Sequence, residues 1–395
     1  MIKGKTVLVG ITGSVAAYKT IDLIRRLRDG GVEVRAIMTD AAKEFITPLS
    51  ISLACGSPAL SGIFEEPFSH IDGPARADLF LVAPATANSI GKFAHGIADD
   101  LLSTAFLVYR GPVLLAPAMN WRMYENPVFR NNLQSLLALG AVEIPPQRGS
   151  LACGEEGVGK MADIDTILEE TRTALTQKDL VGEHVVITAG PTREPIDPVR
   201  FLSNRSSGKM GYAIARVARR RGAKVTLITG PVCIPTPAGI DVVRVETAAE
   251  MHAAVMEQIE TATLAIFAAA VADLSPVAPS SEKAEKADLA ALSLAKTPDI
   301  LASVCALPKR PFTIGFAAET GPRLDRARRK LTAKGADMLV FNDVSAPGAG
   351  FETDTNAVTF IFPDNHGGYD EEELPICSKE DVAAAIFDAK VARRG

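Results

Sequence analysis

The sequence predicts an α/β protein built of two Rossmann-like, doubly wound domains. Three observations predict it. The chain has 395 residues, enough for two domains at roughly 150 residues each. Short continuous apolar runs alternate with amphipathic stretches, the mark of parallel strands buried on both faces beneath helices. The alternation then restarts after a polar stretch at 171–183, which separates a first domain, 1–175, from a second, 184–395.

In the first half, strands are expected at 6–11, 32–39, 77–84 and 112–117, with a helical pattern over 15–28. In the second, 184–190 reads as a strand, 209–221 as a helix and 224–230 as another strand. Further strands follow at 264–271, 312–316 and 338–341, an edge strand at 356–362 and a terminal helix over 378–393. Residues 275–291 carry prolines, serines, lysines and acids. They are too broken for a core element, and read as either a dispensable loop or a mobile binding loop.

Composition excludes several classes. Lys and Arg total 42 against 47 Asp and Glu, a net charge of -5, so the footprint of a general nucleic-acid binder is missing. No apolar run approaches the ~20 residues that cross a bilayer, and no signal-peptide layout opens the chain. A soluble cytoplasmic protein without a membrane partner is expected. Cys55, Cys153, Cys233, Cys305 and Cys377 are scattered and form no C-x-x-C pair, which argues against a disulfide framework and a zinc site.

Chemistry concentrates where strands end. Gly10-Ile11-Thr12-Gly13-Ser14 turns a strand into a helix, and its N–H groups with the Thr12 and Ser14 hydroxyls suit a phosphate. A plain tight turn is the competing explanation. Ala83-Pro84-Ala85-Thr86-Ala87-Asn88 sits at another strand's carboxyl end, as a ligand edge or an ordinary helix cap. Pro117-Ala118-Met119-Asn120-Trp121-Arg122-Met123 sets an amide that can bind a carboxylate beside the chain's one tryptophan. His70 stands in a polar loop. Cys153, within Gly149-Ser150-Leu151-Ala152-Cys153-Gly154 and before Gly157 and Gly159, suits a movable flap better than a buried thiol.

The second half has its own series. Thr188-Ala189-Gly190-Pro191-Thr192-Arg193-Glu194-Pro195 follows its first strand, and residues 200–211, RFLSNRSSGKMG, lead into the next helix. Serines, glycines and basic groups ahead of a helix make a triphosphate cradle or a capped loop, and the Walker A spacing is absent. Asp273 ends a strand, Lys283 follows ten positions on with Lys286 beyond, and Phe316 ends a further strand. Lys330 and Lys334 stand one helical turn apart and can face one anion or solvent.

Taken in order, the GITGS turn, His70, PATAN, PAMNWRM and SLACGEEGVGKMA resemble the flavoprotein decarboxylases acting on peptidyl-cysteine and phosphopantothenoylcysteine. The second series, above all ITAGPTREPIDPVRFLSNRSSGKMG, resembles phosphopantothenate–cysteine ligase. Together they resemble the fused bifunctional enzymes of coenzyme A biosynthesis over nearly all 395 residues.

The resemblance implies a flavodoxin-like first domain and two reactions. 4'-Phosphopantothenate attacks the α-phosphate of CTP with Mg²⁺, and L-cysteine displaces CMP from the acyl-cytidylate. An FMN-dependent decarboxylation then gives 4'-phosphopantetheine. It further implies that Gly13, Ser14, Thr39, Thr86 and Asn88 hold FMN, that His70 is an acid/base or positioning group, that Asn120 holds the substrate carboxylate and that Cys153 supplies a proton. In the ligase, Asn204 orients the acyl-cytidylate, Lys283 stabilises the developing phosphate charge, Arg200 assists cysteine capture, and Asp273, Phe316, Lys330 and Lys334 contact CTP. A homo-oligomer, a dodecamer in this family, is implied as well. Two rivals stand beside it. A nicotinamide oxidoreductase requires a G-x-G-x-x-G that both strand openings lack. A flavin-binding regulatory subunit has no need of His70, Asn120, Cys153 and a complete second domain together.

Overall fold

The computed structural model describes residues 2–65, 68–150, 154–285, 289, 291–321, 323–343, 345, 350, 353–364 and 366–393. The chain divides into two compact units, Met1–Gln177 and Lys178–Gly395. The helix Ile164–Leu175 runs through the start of the polar stretch at 171–183, with Ile167, Leu168 and Thr171 buried. Beyond it, Leu180 is fully buried in the second unit's core.

The first unit is a five-stranded parallel sheet of β1 (Thr6–Ile11), β2 (Glu33–Met38), β3 (Leu79–Ala85), β4 (Val113–Pro117) and β5 (Val142–Glu143), in the order β2-β1-β3-β4-β5. This is the flavodoxin-like doubly wound order, and it reverses between β1 and β3, where such sheets open a crevice. Alternation fills both faces. Val7, Val9, Leu79, Leu81 and Ala83 join one core while Leu8, Phe80, Val82 and Ala85 join the other. The helix Thr20–Asp29 buries Thr20, Leu23, Ile24 and Leu27, a single 3.6-period stripe. Past β5, the chain forms an antiparallel hairpin, β6 (Gln147–Ser150) and β7 (Glu156–Lys160).

The second unit holds β8 (His184–Ala189), a small antiparallel pair β9 (Arg193–Pro195) and β10 (Phe201–Ser203), then β11 (Lys224–Thr229), β12 (Asp241–Arg244) and β13 (Leu264–Phe267). A second antiparallel pair, β14 (Leu274–Pro276) and β15 (Leu294–Lys296), precedes β16 (Phe312–Glu319), β17 (Met338–Asp343), β18 (Thr355–Pro363) and β19 (Tyr369–Ser378). The main sheet runs β12-β11-β8-β13-β16-β17-β18-β19. Its first six strands are parallel in the Rossmann order 3-2-1-4-5-6, with the switch point between β8 and β13. The last two are antiparallel.

Three expectations change. The strand expected at 264–271 stops at Phe267, because the chain leaves the sheet there and passes over its carboxyl edge. The strand expected as the edge, β18, is flanked by β19, whose charged sequence carries no apolar alternation. The broken segment at 275–291 begins inside a short strand: Ser275 and Pro276 belong to β14, which pairs with β15 beyond the segment.

Candidate functional sites

At the carboxyl ends of β1 to β4 lies a cavity of about 980 Å³, lined among others by Gly13, Ser14, Thr39, Thr86, Asn88 and Asn120. Each has a local reason to be there. Ser14 Oγ accepts from the Ala16 N–H at the start of a short 3₁₀ turn, Val15–Lys19. Thr39 caps Asp40–Lys43 by accepting from the Ala42 N–H, and Thr86 caps Ala87–His95 by accepting from that of Ser89. A Cβ on Gly13 would sit 2.5 Å from that of Ala41, so only glycine lets this turn lie against the neighbouring one. Thr12 is the exception. It is fully buried, donates to the Pro84 carbonyl at 2.8 Å and accepts from the Thr86 N–H at 3.0 Å. Its hydroxyl ties the two loops together and is spent there, not on a phosphate.

Asn120 caps the turn Trp121–Tyr124 through Oδ1, which accepts from the Arg122 N–H. Its Nδ2 donates to Glu155 Oε2 at 3.2 Å, beside Trp121 Nε1 at 2.9 Å, while Arg122 Nη2 reaches Oε1 at 2.7 Å. Three donors thus converge on one carboxylate, from the hairpin that walls the cavity. The hydrogen bonds from Asn120 and Trp121, then the Arg122 charge, hold the Glu155 carboxyl below its ordinary range. Nothing in its sequence position pointed to Glu155.

His70 is not in the expected loop. It lies in the helix Ser69–Ala75, packed against Leu101–Val108, and lines no part of the cavity. Gly73 and Pro74 disguised that helix in the sequence. Its Nδ1 is buried without a hydrogen-bond partner among the described residues. Cys153 lies outside the described residues.

A second cleft, of about 830 Å³, opens at the carboxyl edge of the Rossmann-ordered strands. Asn204, Asp273, Phe316, Lys330 and Lys334 all line it, brought together from two loops, the strand β16 and one helix. Asn204 Nδ2 donates to the carbonyls of Ala270 and Val271 at 3.2 and 3.0 Å. It does not cap the helix Lys209–Arg220, whose N-cap is Gly208 at φ 77°, a left-handed conformation natural to glycine. Lys330 and Lys334 both project from Leu324–Lys334. Lys330 Nζ reaches the Phe316 carbonyl at 3.4 Å and Lys334 pairs with Asp299. Burial pushes the Lys334 ammonium below its ordinary range, against the pull of Asp273.

Arg200 and Lys283 line no part of this cleft. Arg200 pairs with Asp197 at 3.4 Å and donates to the Ala284 carbonyl, while the Ser280 N–H bonds the Ile196 carbonyl. The segment carrying Lys283 is thereby pinned beside the β9–β10 pair, with Lys283 exposed. The cleft also holds residues that the sequence did not single out: Lys296, Asn342, Asn356 and Lys379. They come from β15, β17, β18 and the helix Lys379–Ala392, more than 80 positions beyond the RFLSNRSSGKMG motif. Among the described residues, no group of three His, Cys, Asp or Glu side chains is placed to hold a metal ion. No helix among them is long and apolar enough to cross a membrane.

Comparisons with known proteins match both units. The flavoprotein family profile fits residues 1–176, and that of the DNA/pantothenate metabolism flavoprotein C-terminal domain fits residues 180–393. The coenzyme A biosynthesis bifunctional protein CoaBC of Vibrio cholerae is 43% identical over 394 residues, covering 98% of each chain. That of Bacillus subtilis is 44% identical over 396 residues, covering 98% of this chain and 97% of its own. A crystal structure of the C-terminal domain of a coenzyme A biosynthesis bifunctional protein, 38% identical, covers 54% of this chain and 96% of its own, with a TM-score of 0.46. With a flavoprotein unit, a second pantothenate-metabolism unit and full-length relatives that carry both, the chain belongs to the family of bifunctional coenzyme A biosynthesis enzymes, which join a decarboxylase to a ligase.

Proposed function

We propose that the second unit joins 4'-phosphopantothenate to L-cysteine at the cost of CTP and that the first decarboxylates the product to 4'-phosphopantetheine, in the cytoplasm. The observation that carries this reading is the convergence of Asn204, Asp273, Phe316, Lys330 and Lys334 on one cleft at a Rossmann switch edge. The substrate carboxylate attacks the α-phosphate of CTP, pyrophosphate leaves, and the amine of cysteine then displaces CMP with loss of a proton. Lys330 and Lys334 hold the nucleotide's phosphates, Asp273 and Phe316 its nucleoside, and Asn204 orients the acyl-cytidylate from its anchorage on Ala270 and Val271. Lys283 stabilises charge gathering on phosphate when its segment closes over the cleft, and Arg200 assists cysteine capture. Mg²⁺ enters with the triphosphate, keeping several of its waters as that ion does.

The cavity of the first unit fits FMN: hydroxyls and amides of Ser14, Thr39, Thr86 and Asn88 ring a space that a Cβ on Gly13 would disturb. When bound there, FMN supplies the two-electron oxidation and reduction that flank loss of CO₂. Asn120, with Trp121 and Arg122, binds the substrate carboxylate, a reading supported by the carboxylate of Glu155 already seated on those donors. Cys153 gives the last proton, and His70 acts as an acid/base or positioning group from its own helix. We further propose a homo-oligomer, a dodecamer as in the family. Leu49, Leu53, Phe64 and Phe68 of the first unit, all more than 60% exposed, support association.

The test is direct. Purified protein should show oxidised-flavin absorption and, given 4'-phosphopantothenate, L-cysteine, CTP and Mg²⁺, release pyrophosphate, CMP and CO₂ in equal amounts while forming 4'-phosphopantetheine. Absence of CMP under those conditions would reject the ligase reading, and absence of flavin the other half.

A further inference from the structure

Two of the cations assigned to the ligase, Arg200 and Lys283, stand outside the cleft, and they stand there together. One carboxylate accounts for it. The side chain of Asp197 is wholly buried in the turn that joins β9 to β10. Its Oδ1 accepts from the Val199 and Arg200 N–H groups, each at 2.8 Å. Its Oδ2 accepts from the Ala284 N–H at 3.3 Å and lies 3.4 Å from Arg200 Nη1, which itself donates to the Ala284 carbonyl. With the Ser280 N–H on the Ile196 carbonyl at 2.9 Å, the stretch that carries Lys283 is held at both ends.

The turn is the tip of an arm whose root lies in the cleft. β10 runs from Arg200 at one end to Asn204 at the other, and Asn204 is fixed to the Ala270 and Val271 carbonyls. β14 leaves the cleft from Asp273 and packs beside β9. The arm is braced along its length: the buried Glu194 accepts from the Ala248 N–H at 2.9 Å, and Ser203 Oγ donates to the Thr192 carbonyl at 2.8 Å. An aspartate closes such a turn with one oxygen. The second oxygen of Asp197 does something else, joining a guanidinium to a backbone N–H 87 positions along the chain.

We infer that Asp197 is a positioning residue for the ligase, tying Arg200 and the Lys283 segment into one unit so that both cations serve the cleft from the same arm. The inference rests on the ligase reading above, which gives Lys283 to acyl-cytidylate formation and Arg200 to cysteine capture. It makes one residue that touches no substrate necessary to both half-reactions.

Single-turnover measurement of each half-reaction tests it. Pyrophosphate released from CTP and 4'-phosphopantothenate before cysteine is added reports the first, and CMP released when L-cysteine meets the bound acyl-cytidylate reports the second. Wild type must show both; if it does not, the ligase reading itself fails. Asp197→Asn keeps an oxygen for the turn but sets an NH₂ group against the Ala284 N–H and the Arg200 guanidinium. It should slow both half-reactions about 10–100-fold, the worth of a hydrogen bond to a charged group. The KM for CTP should hold, and trypsin should cut after Lys283 faster in the folded protein. A residue that only closes the turn predicts none of this, since asparagine closes it equally well. Loss of one half-reaction alone, loss of neither, or loss in proportion to the protein unfolded in a melting curve overturns the inference. Should Asp197→Asn not fold, hydrogen exchange in the wild type decides. An Ala284 amide protected as strongly as that of Arg200 supports the shared anchor, and one exchanging at the rate of a free loop overturns it.

Discussion

At the scale of single residues, the hairpin's own carboxylate occupies the place we assign to the substrate's. Glu155 takes hydrogen bonds from Asn120, Trp121 and Arg122, so an incoming carboxylate has to displace it. Glu155→Ala should therefore lower the KM for 4'-phosphopantothenoylcysteine about 2–10-fold, the worth of one ordinary hydrogen bond, without changing flavin absorption. A raised KM would instead give Glu155 a positive part in binding. Asn120 was legible because an amide beside a tryptophan at a strand end is unusual. Glu155 was not, because neither of two adjacent acids in a glycine-rich run has an address until the chain folds back.

At the scale of elements, the strands that continuous apolar runs announce, such as β1, β3 and β8, are the ones that sequence makes plain. A strand buried on both faces tolerates almost nothing else. The elements that stayed hidden are held by other means. β6 and β7 pair through their backbones with glycines in both strands, and the helix of His70 carries Gly73 and Pro74 and depends on packing against Leu101–Val108. In the ligase cleft, Asp273, Phe316, Lys330 and Lys334 could be named through the family resemblance that the ordered motifs carry. Asn356 and Lys379 could not, since only the antiparallel turn back through β18 and β19 brings them to the edge, and Asn342, near the end of the parallel strand β17, stood in no motif. The helix bearing Lys379 is fastened by charge as well as by its core face. Glu380 pairs with the buried Arg220 at 2.8 Å and with Arg216 at 3.3 Å, and Arg221 reaches Asp388 at 2.6 Å. Glu380→Ala removes that partly exposed carboxylate from Arg216 and Arg220 and should cost about 1.5–3 kcal/mol, the worth of a hydrogen bond to a charged group. Urea unfolding followed by circular dichroism measures it, and a loss under 1 kcal/mol would show water replacing the carboxylate.

At the scale of the whole molecule, each unit has its own sheet with cores on both faces. Severing the chain between Gln177 and Lys178 should give two soluble pieces, the first binding flavin and the second releasing pyrophosphate from CTP. In the intact protein, calorimetry should resolve two transitions, with added FMN raising one and CTP the other, as a ligand stabilises only the unit that binds it. A single transition moved equally by both would show that the units unfold together.

The outermost strand of the larger sheet, β19, reads YDEEELPICS and is exposed over most of its length. A ten-residue edge is an open template on which another chain's strand can lay itself. Here four consecutive acids and a proline stand on it. Glu371 is steadied by Arg328 at 2.6 Å and Glu372 lies 4.0 Å from Arg393. A second copy approaching in register would bring like charges face to face and find no N–H to bond at Pro375. The run that hid this strand from apolar periodicity is thus its guard against fibrillar growth, and it keeps that guard only while its carboxylates stay ionised.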